Sequence, residues 1–102
     1  MIYVKIHDTD NGNILAMCDE ELIGRVFKEG KTELDMPRYA GFYKGELVSE
    51  KDAEMAAKDI GFYSANVVGE RSVKVMMDIN ACRAEDIRRI EGIPFIHIYK
   101  ML

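Results

Sequence analysis

Cys18 is the residue of this sequence whose type and surroundings come nearest to those of a catalytic nucleophile. It directly precedes Asp19, a predicted helix N-cap, and a helix N-terminus lowers the pKa of a neighbouring thiol. With His7 or His97 nearby as a base, such a thiolate could attack an electrophilic substrate. A thiol at the end of a strand is also a common buried packing residue. We favour that structural interpretation, and Cys82 has even less chemical context.

Three carboxylates offer a second kind of chemistry, because paired acids can donate and accept protons during catalysis. Asp19 and Glu21 lie close together in the sequence, and Glu46 is a more distant candidate. Helix capping accounts for Asp19, and the helix dipole accounts for an acid such as Glu21 in the first turn. We therefore predict no catalytic residue. A small enzyme that uses Cys18 or these three carboxylates is the alternative hypothesis.

Metal binding is not indicated by the spacing of the usual ligand types. The two His and two Cys residues stand at positions 7, 18, 82 and 97, without the short ligand pairs of structural zinc sites. The sequence contains neither a phosphate-binding P-loop nor a GxGxxG dinucleotide motif. We therefore predict no metal and no cofactor.

The segment over residues 64–71 carries the strongest signal for binding. It places Asn66, Glu70 and Arg71 among apolar neighbours, and Gly69 would weaken a helix by about 1 kcal/mol relative to alanine. Glycine lets a ligand or another backbone approach closely, and departures from local rules tend to occur at functional sites. The structural alternative is a packed helix with Asn66 as its cap and an internal Glu–Arg pair. We predict that a partner docks at this segment.

An aromatic segment suggests a contact with RNA. Tyr39, Phe42 and Tyr43 are interleaved with the basic residues Arg38 and Lys44, and such side chains stack on bases and contact phosphates. The same aromatic residues could instead fold over the edge of a sheet. The chain has 14 basic and 18 acidic residues and a net charge of −4, which argues against a broad nucleic-acid footprint. Our expected partners therefore include RNA but not DNA.

Strands that could position these residues are predicted from alternating hydrophobicity. Apolar and polar residues alternate over residues 2–6, and the apolar residues 14–17 follow Asn11-Gly12, which predicts an antiparallel hairpin whose turn uses positive φ angles. Shorter alternating runs predict further strands over residues 32–36, 46–48, 87–90 and 95–101. A loop is predicted over residues 38–44.

Helices are predicted from capping residues and from apolar residues at helical spacing. The first would run from Asp19 to Gly30, the second from Ser49 to Gly61, and the third over about residues 65–79. The elements do not alternate as regular βαβ units. The sequence therefore predicts an α+β fold, a two-layer sandwich in which helices pack on one face of a mainly antiparallel sheet.

Composition limits the remaining classes of protein. The 102 residues are 48% hydrophobic and 31% charged, which suits one folded domain spanning residues 1–102. No apolar run approaches the ~18 residues that cross a bilayer, and the N-terminus lacks the charged-then-apolar pattern of a signal segment. We expect a cytoplasmic protein that does not bind a membrane.

Four motifs and a closing tripeptide follow one another along nearly the whole chain. They are Cys18-Asp19-Glu20-Glu21-Leu22-Ile23-Gly24, Phe27-Lys28-Glu29-Gly30, Phe42-Tyr43-Lys44-Gly45-Glu46, Ala65-Asn66-Val67-Val68-Gly69-Glu70 and Gly92-Ile93-Pro94. In this order they resemble a small archaeal family known as domain of unknown function 424. The resemblance implies a cytoplasmic archaeal protein with a two-layer α+β fold. It implies no established activity, cofactor or catalytic residue.

The sequence as a whole favours a non-enzymatic binding module for a protein or ribonucleoprotein partner, with translation as a candidate setting. A homo-oligomer formed through exposed aromatic residues and methionines is a further hypothesis. The predicted binding residues are polar, aromatic or glycine positions near the proposed docking segment: Asp19, Glu21, Tyr43, Glu46, Asn66, Gly69, Glu70 and Arg71.

Overall fold

The computed structural model describes residues 1–100 and contains eight strands and three α-helices within them. The strands are β1 (Ile2–Thr9), β2 (Gly12–Asp19), β3 (Val26–Glu29), β4 (Thr32–Asp35), β5 (Glu46–Val48), β6 (Phe62–Val68), β7 (Arg88–Ile90) and β8 (Ile93–Tyr99). The helices are α1 (Ala40–Tyr43), α2 (Glu50–Ile60) and α3 (Glu70–Asp78). Short 3-10 turns cover Glu20–Leu22 and Ala84–Asp86.

Six of the strands form one sheet in the order β5-β1-β2-β6-β8-β7, and β3 and β4 form a separate hairpin. In the large sheet only β2 and β6 pair in parallel, and every other neighbouring pair is antiparallel. The predicted α+β class with a mainly antiparallel sheet is confirmed.

The β1–β2 hairpin is present, but its turn differs in detail from the prediction. Thr9 pairs with Gly12, so Asp10 and Asn11 form the turn. Gly12 alone of these residues has a positive φ, 126°. The Thr9 hydroxyl donates to the Gly12 carbonyl at 2.6 Å and so closes the turn from the side.

Each face of the sheet is covered by a different layer. On one face, apolar residues of β1, β2 and β6 pack against α2 and α3 around Ala57, Val73 and Met76. On the opposite face, Cys18 and Val68 pack against Phe27 and Met36 from the β3–β4 hairpin and the segment after it. The two main helices therefore share one face, as predicted, and a second small core fills part of the other.

The predicted helix over residues 19–30 is wrong. The chain there makes a single 3-10 turn, Glu20–Leu22, and then enters β3. Phe27 is buried and pairs with Leu34, whereas Val26 on the other side of the strand is 53% exposed. The apolar residues fit both periods locally. The hairpin is more stable than the helix because it buries Phe27 against the sheet. Gly30, with φ 59°, lies in the turn between β3 and β4.

The predicted helix over residues 65–79 is wrong in its first part. Residues Phe62–Val68 form the central strand β6, and α3 begins only at Glu70. Residues 63–67 of β6 do alternate between apolar and polar types, from Tyr63 to Val67, but the alternation is short and continues directly into the apolar positions of α3. The prediction merged the two because short apolar runs fit a helix and a strand equally well.

Other predicted elements match more closely. Ser49 caps α2 by accepting a hydrogen bond from the Asp52 backbone N–H at 3.1 Å, and Gly61 follows the last turn. The loop predicted over residues 38–44 contains the short helix α1. The last strand ends at Tyr99, and the Met101 end of its predicted range lies outside the described residues.

Candidate functional site

Asp19 is the last residue of β2, and its side chain caps the start of α3, which follows the neighbouring strand β6. Its carboxylate accepts the backbone N–H of Arg71 at 3.1 Å and that of Ser72 at 2.8 Å. The Ser72 hydroxyl donates to the same carboxylate at 2.7 Å. Asp19 is 2% exposed, so its charge is balanced by three donors and by the positive end of the helix dipole. This acid is committed to holding α3 in place.

Gly69 lies between β6 and α3, and not inside a helix as the sequence suggested. It has φ 113° and ψ 156°, a conformation that side-chain-bearing residues rarely adopt. A Cβ at this position would overlap the carboxyl group of Asp19. Its backbone N–H donates to the Pro94 carbonyl at 2.8 Å. Glycine is therefore required by the close approach of Asp19 to the helix start.

Two ion pairs flank the start of α3. Arg71 makes a bidentate contact with Glu21, with nitrogen–oxygen distances of 3.0, 2.9 and 2.8 Å. Arg89 of β7 contacts Glu70 at 3.1 Å and also donates to the Gly92 carbonyl at 3.0 Å. All four charged side chains are more than a third exposed, so the pairs orient the guanidinium groups without removing them from solvent.

A groove runs beside this helix start, with an open volume of about 400 Å³. Its apolar lining consists of Val73, Met77, Ile87 and Pro94. Its charged lining consists of three basic residues and one acidic residue: Arg71, Lys74, Arg89 and Glu70. Each of the three basic residues is ion-paired, Arg71 with Glu21, Lys74 with Asp78 and Arg89 with Glu70. The groove therefore has an apolar centre and a rim of exposed ion pairs.

Cys18 has none of the properties of an activated nucleophile. Its side chain is fully buried, and its thiol donates to the Asp19 carbonyl at 3.3 Å. Burial, followed by the negative charges of Asp19 and Glu21, raises the pKa of Cys18 to about 12. The thiol is therefore protonated and shielded at neutral pH.

Tyr43 and Asn66 lie on the opposite face of the sheet from the groove. There they line a second pocket together with Leu34, Met36, Tyr39 and Phe42. Tyr43 is the last residue of α1, and burial raises the pKa of its phenol to about 12. Asn66 lies in the middle of β6, opposite His97 of β8. The structure brings these two predicted residues together, but it places them apart from the other members of the predicted site.

Glu46 lies in a third place. It begins the edge strand β5 and stands opposite Val4 of β1, so the whole of β1 lies between it and Asp19 on β2. Its side chain is exposed. The eight predicted residues thus divide into five at the start of α3 (Asp19, Glu21, Gly69, Glu70 and Arg71), two in the second pocket and one at the sheet edge.

Ser72, Lys74 and Arg89 also lie at the start of α3 or along its groove, but none was among the predicted binding residues. Ser72 is buried and completes the cap, and Arg89 pairs with Glu70 from a strand 19 residues later. The role of Arg89 depends on the β7–β8 pairing and has no local signal. Within residues 1–100, no group of three or more His, Cys, Asp or Glu converges as metal ligands.

The described part of the chain contains no helix long and apolar enough to cross a membrane. The fold and this surface define a class of protein. It is an α+β protein in which a capped helix lies beside an apolar groove whose rim carries three ion-paired basic residues. The chain belongs to the family described as protein of unknown function DUF424, whose sequence model matches residues 6–101. The family resemblance of the motifs is therefore confirmed.

A comparison with solved structures supports the fold over nearly the whole chain. The chain is similar to an uncharacterized conserved protein from Methanopyrus kandleri whose crystal structure is known. The two are 26% identical with a TM-score of 0.74, over 96% of this chain and 90% of that one. The comparison with curated proteins gives no match.

Proposed function

We propose that this chain is a non-enzymatic binding module that docks an acidic segment of a partner protein in the groove beside α3. The observation that carries the proposal is the composition of that groove. Apolar side chains form its centre, and three cations form its rim, each in an exposed ion pair whose acid a partner carboxylate can replace. An acidic segment that also carries apolar side chains would match both features. The partner protein can be free or part of a ribonucleoprotein, including one that acts in translation.

Arg71 is the side chain best placed to discriminate partners. Its guanidinium makes a bidentate contact with Glu21 that stays open to solvent, and therefore to a partner. The pair is substantially exposed, and exposed pairs contribute only about 0–1 kcal/mol to stability. A partner carboxylate can therefore compete with Glu21 at a low energetic cost.

The environments of Cys18, Asp19 and Glu46 favour the binding proposal over the enzyme alternative. Cys18 is buried with its pKa raised to about 12. Asp19 is occupied by three hydrogen bonds within the chain. Glu46 lies two strands away from Asp19, and Glu21 is held by Arg71, so the three carboxylates do not form one acid–base site.

The test compares Arg71→Ala with Glu21→Ala, which break the same ion pair from opposite sides. A partner purified with the wild-type chain from its own cells would be titrated calorimetrically against each variant. We expect Arg71→Ala to weaken binding by about fivefold or more, since charged interface contacts often contribute more than 1 kcal/mol. Glu21→Ala should leave binding unchanged or strengthen it, because it frees the guanidinium. Equal effects of the two variants would mean that the pair is only structural.

A second pair of variants tests the apolar centre. Met77→Glu introduces an acid into the groove, whereas Met55→Glu makes the same change on the exposed side of α2, where Met55 is 52% exposed. We expect only Met77→Glu to abolish binding. Because Met77 packs against the core and Met55 does not, Met77→Glu should also lower the melting temperature, so both variants are titrated at a temperature at which circular dichroism shows them folded. If Met77→Glu instead dissociates a homo-oligomer of the wild-type chain, the groove is occupied by a second copy and not by another protein.

A further inference from the structure

The second pocket lies on the face of the sheet that α2 and α3 leave free. It has a volume of about 310 Å³ and is lined by Leu34, Met36, Tyr39, Phe42, Tyr43 and Asn66. The β4 end supplies one wall, α1 supplies the aromatic wall, and β6 supplies the floor. Its position opposite the α3 groove makes it independent of the proposed protein-docking surface.

Asn66 is the polar group on the floor of this otherwise apolar and aromatic pocket. Its amide is half-buried, and it takes part in none of the side-chain hydrogen bonds formed among residues 1–100. An amide presents a donor and an acceptor side by side. A ligand with a complementary donor–acceptor edge would satisfy both.

The aromatic wall is held in a fixed arrangement. His7 of β1 stacks on Phe42 with ring centroids 4.5 Å apart and an angle of 10° between the planes. The His7 Nε2 atom also lies 2.8 Å from the Phe42 carbonyl oxygen. Phe42 meets Tyr43 edge to face at 5.1 Å. Tyr39 is the most exposed of these three aromatic residues, at 51%, so it is the one most accessible to a stacking partner.

Three cations surround α1, which carries the aromatic wall. Lys5 donates to the Gly41 carbonyl at 2.6 Å, Arg38 lies over the Tyr39 ring at 5.7 Å, and Lys44 directly follows Tyr43. None of the three forms an ion pair with another described residue, whereas six other basic residues do. Their charges are therefore available to an anion that approaches the pocket.

We propose that this pocket binds one unstacked base of a single-stranded RNA. The base would stack on Tyr39 and present its edge to the Asn66 amide, which is how proteins commonly read bases that are not paired. Arg38 and Lys44 would contact the flanking phosphates. Aromatic stacking combined with nearby cations is the general device for binding single strands. A free nucleotide shares this chemistry, and the experiment separates the two sources.

The experiment measures fluorescence anisotropy of labelled RNAs, each about nine nucleotides long and made only of A, C or U, titrated with the full chain. We expect at least one of these RNAs to bind, with an affinity that falls as salt is raised because phosphates are contacted. Tyr39→Ala should weaken that binding by about tenfold, the loss typical of one stacked base. Tyr39→Phe keeps the ring and should bind as the wild type does.

Asn66→Ala should reduce the difference in affinity between the best and the worst RNA, because the amide reads the base edge. Met77→Glu in the α3 groove should leave RNA binding unchanged, which keeps this inference separate from the protein-docking proposal. The inference is overturned if no RNA binds, or if Tyr39→Ala binds as tightly as the wild type. A nucleoside monophosphate that competes as strongly per molecule as the best RNA would overturn the RNA assignment and make the ligand a free nucleotide.

Discussion

The Asp19 carboxylate accepts hydrogen bonds from both the backbone N–H and the hydroxyl of Ser72, at 2.8 and 2.7 Å, although 53 residues separate the two in sequence. The contact joins the end of β2 to the first turn of α3. It therefore fixes the position of the helix whose exposed side forms the proposed docking groove. The geometry of that groove therefore depends on a buried acid that is not itself part of the groove lining.

Asp19→Ala is expected to lower the free energy of unfolding by about 2–4 kcal/mol. Three donors lose their acceptor, and buried donors left unpaired cost about 1–3 kcal/mol in addition to the ordinary value of a helix cap. Urea denaturation measures the change. Glu20→Ala, at the exposed neighbouring position, is the matched control and should change stability by no more than about 0.5 kcal/mol. A loss below about 1 kcal/mol for Asp19→Ala would contradict the capping role.

Gly69→Ala should destabilise the chain by at least about 2 kcal/mol. The new Cβ would overlap the Asp19 carboxyl group, and the backbone has φ 113°, a conformation that costs about 1–3 kcal/mol with a side chain. Gly24→Ala is the control, because a Cβ there has no neighbour within 4 Å. Thermal unfolding of the two variants gives the comparison. Similar melting temperatures would show that Gly69 is not conformationally required.

Phe27→Ala and Val26→Ala test the hairpin that replaces the predicted helix over residues 19–30. Phe27 is 1% exposed and Val26 is 53% exposed, although they are adjacent. We expect Phe27→Ala to cost about 3–5 kcal/mol, as is usual for a buried phenylalanine, and Val26→Ala to cost less than about 0.5 kcal/mol. Urea denaturation measures both. Comparable losses at the two positions would indicate that they share a buried face.

The two thiols should differ in their reactivity toward iodoacetamide at about pH 8. Cys18 is fully buried with a pKa raised to about 12, so the folded chain should protect it. Cys82 is half-buried and should be alkylated first. Mass spectrometry of the digested chain locates the label. Replacing both, with Cys18→Ser and Cys82→Ala, should preserve partner binding while lowering stability, and loss of binding by a folded double variant would revive the enzyme hypothesis.

Cys18 also makes stability depend on pH in the alkaline range. Its folded pKa is raised from 9.0 to about 12, mainly by burial, so the unfolded chain binds the proton less tightly than the folded chain does. The protective contribution is complete below about pH 9 and is lost as the pH rises toward 12, at up to about 1.4 kcal/mol per pH unit. Cys18→Ala should flatten this decline in urea unfolding series at about pH 8 to 10.5. An unchanged slope would refute it.

Much of the fold was predictable because its signals are local. The turn after Thr9, the Ser49 cap and Gly61 all act within a few residues of the elements they define, and those elements are confirmed. The strand over residues 62–68 was predicted as part of a helix because its alternation covers only residues 63–67 and runs directly into the apolar positions of α3. The strand at Val26 and Phe27 was predicted as a helix because the local apolar residues fit both the helical and the strand period. Only the distant sheet, which covers Phe27 and leaves Val26 exposed, decides between the two.

The proposed site was predictable only in part, because its residues come together from distant parts of the chain. The unusual residues Gly69 and Arg71 were visible in the sequence, and the structure gathers them with Asp19 and Glu21 at the start of α3. The purpose of the glycine was not visible, because the acid that requires its missing side chain comes from a strand about fifty residues earlier. Tyr43 and Asn66 lie apart from these residues because both line the pocket on the opposite face of the sheet.

The parallel pairing of β2 with β6 has a consequence for how the chain folds. Ile14 pairs with Ser64, so the centre of the sheet closes only after a long loop has been brought together, whereas the β1–β2 turn spans two residues. Because loop closure costs entropy before the contacts form, such distant pairing slows folding. Substitutions in the β6 core should therefore reduce the folding rate, and substitutions in the β3–β4 hairpin should mainly accelerate unfolding.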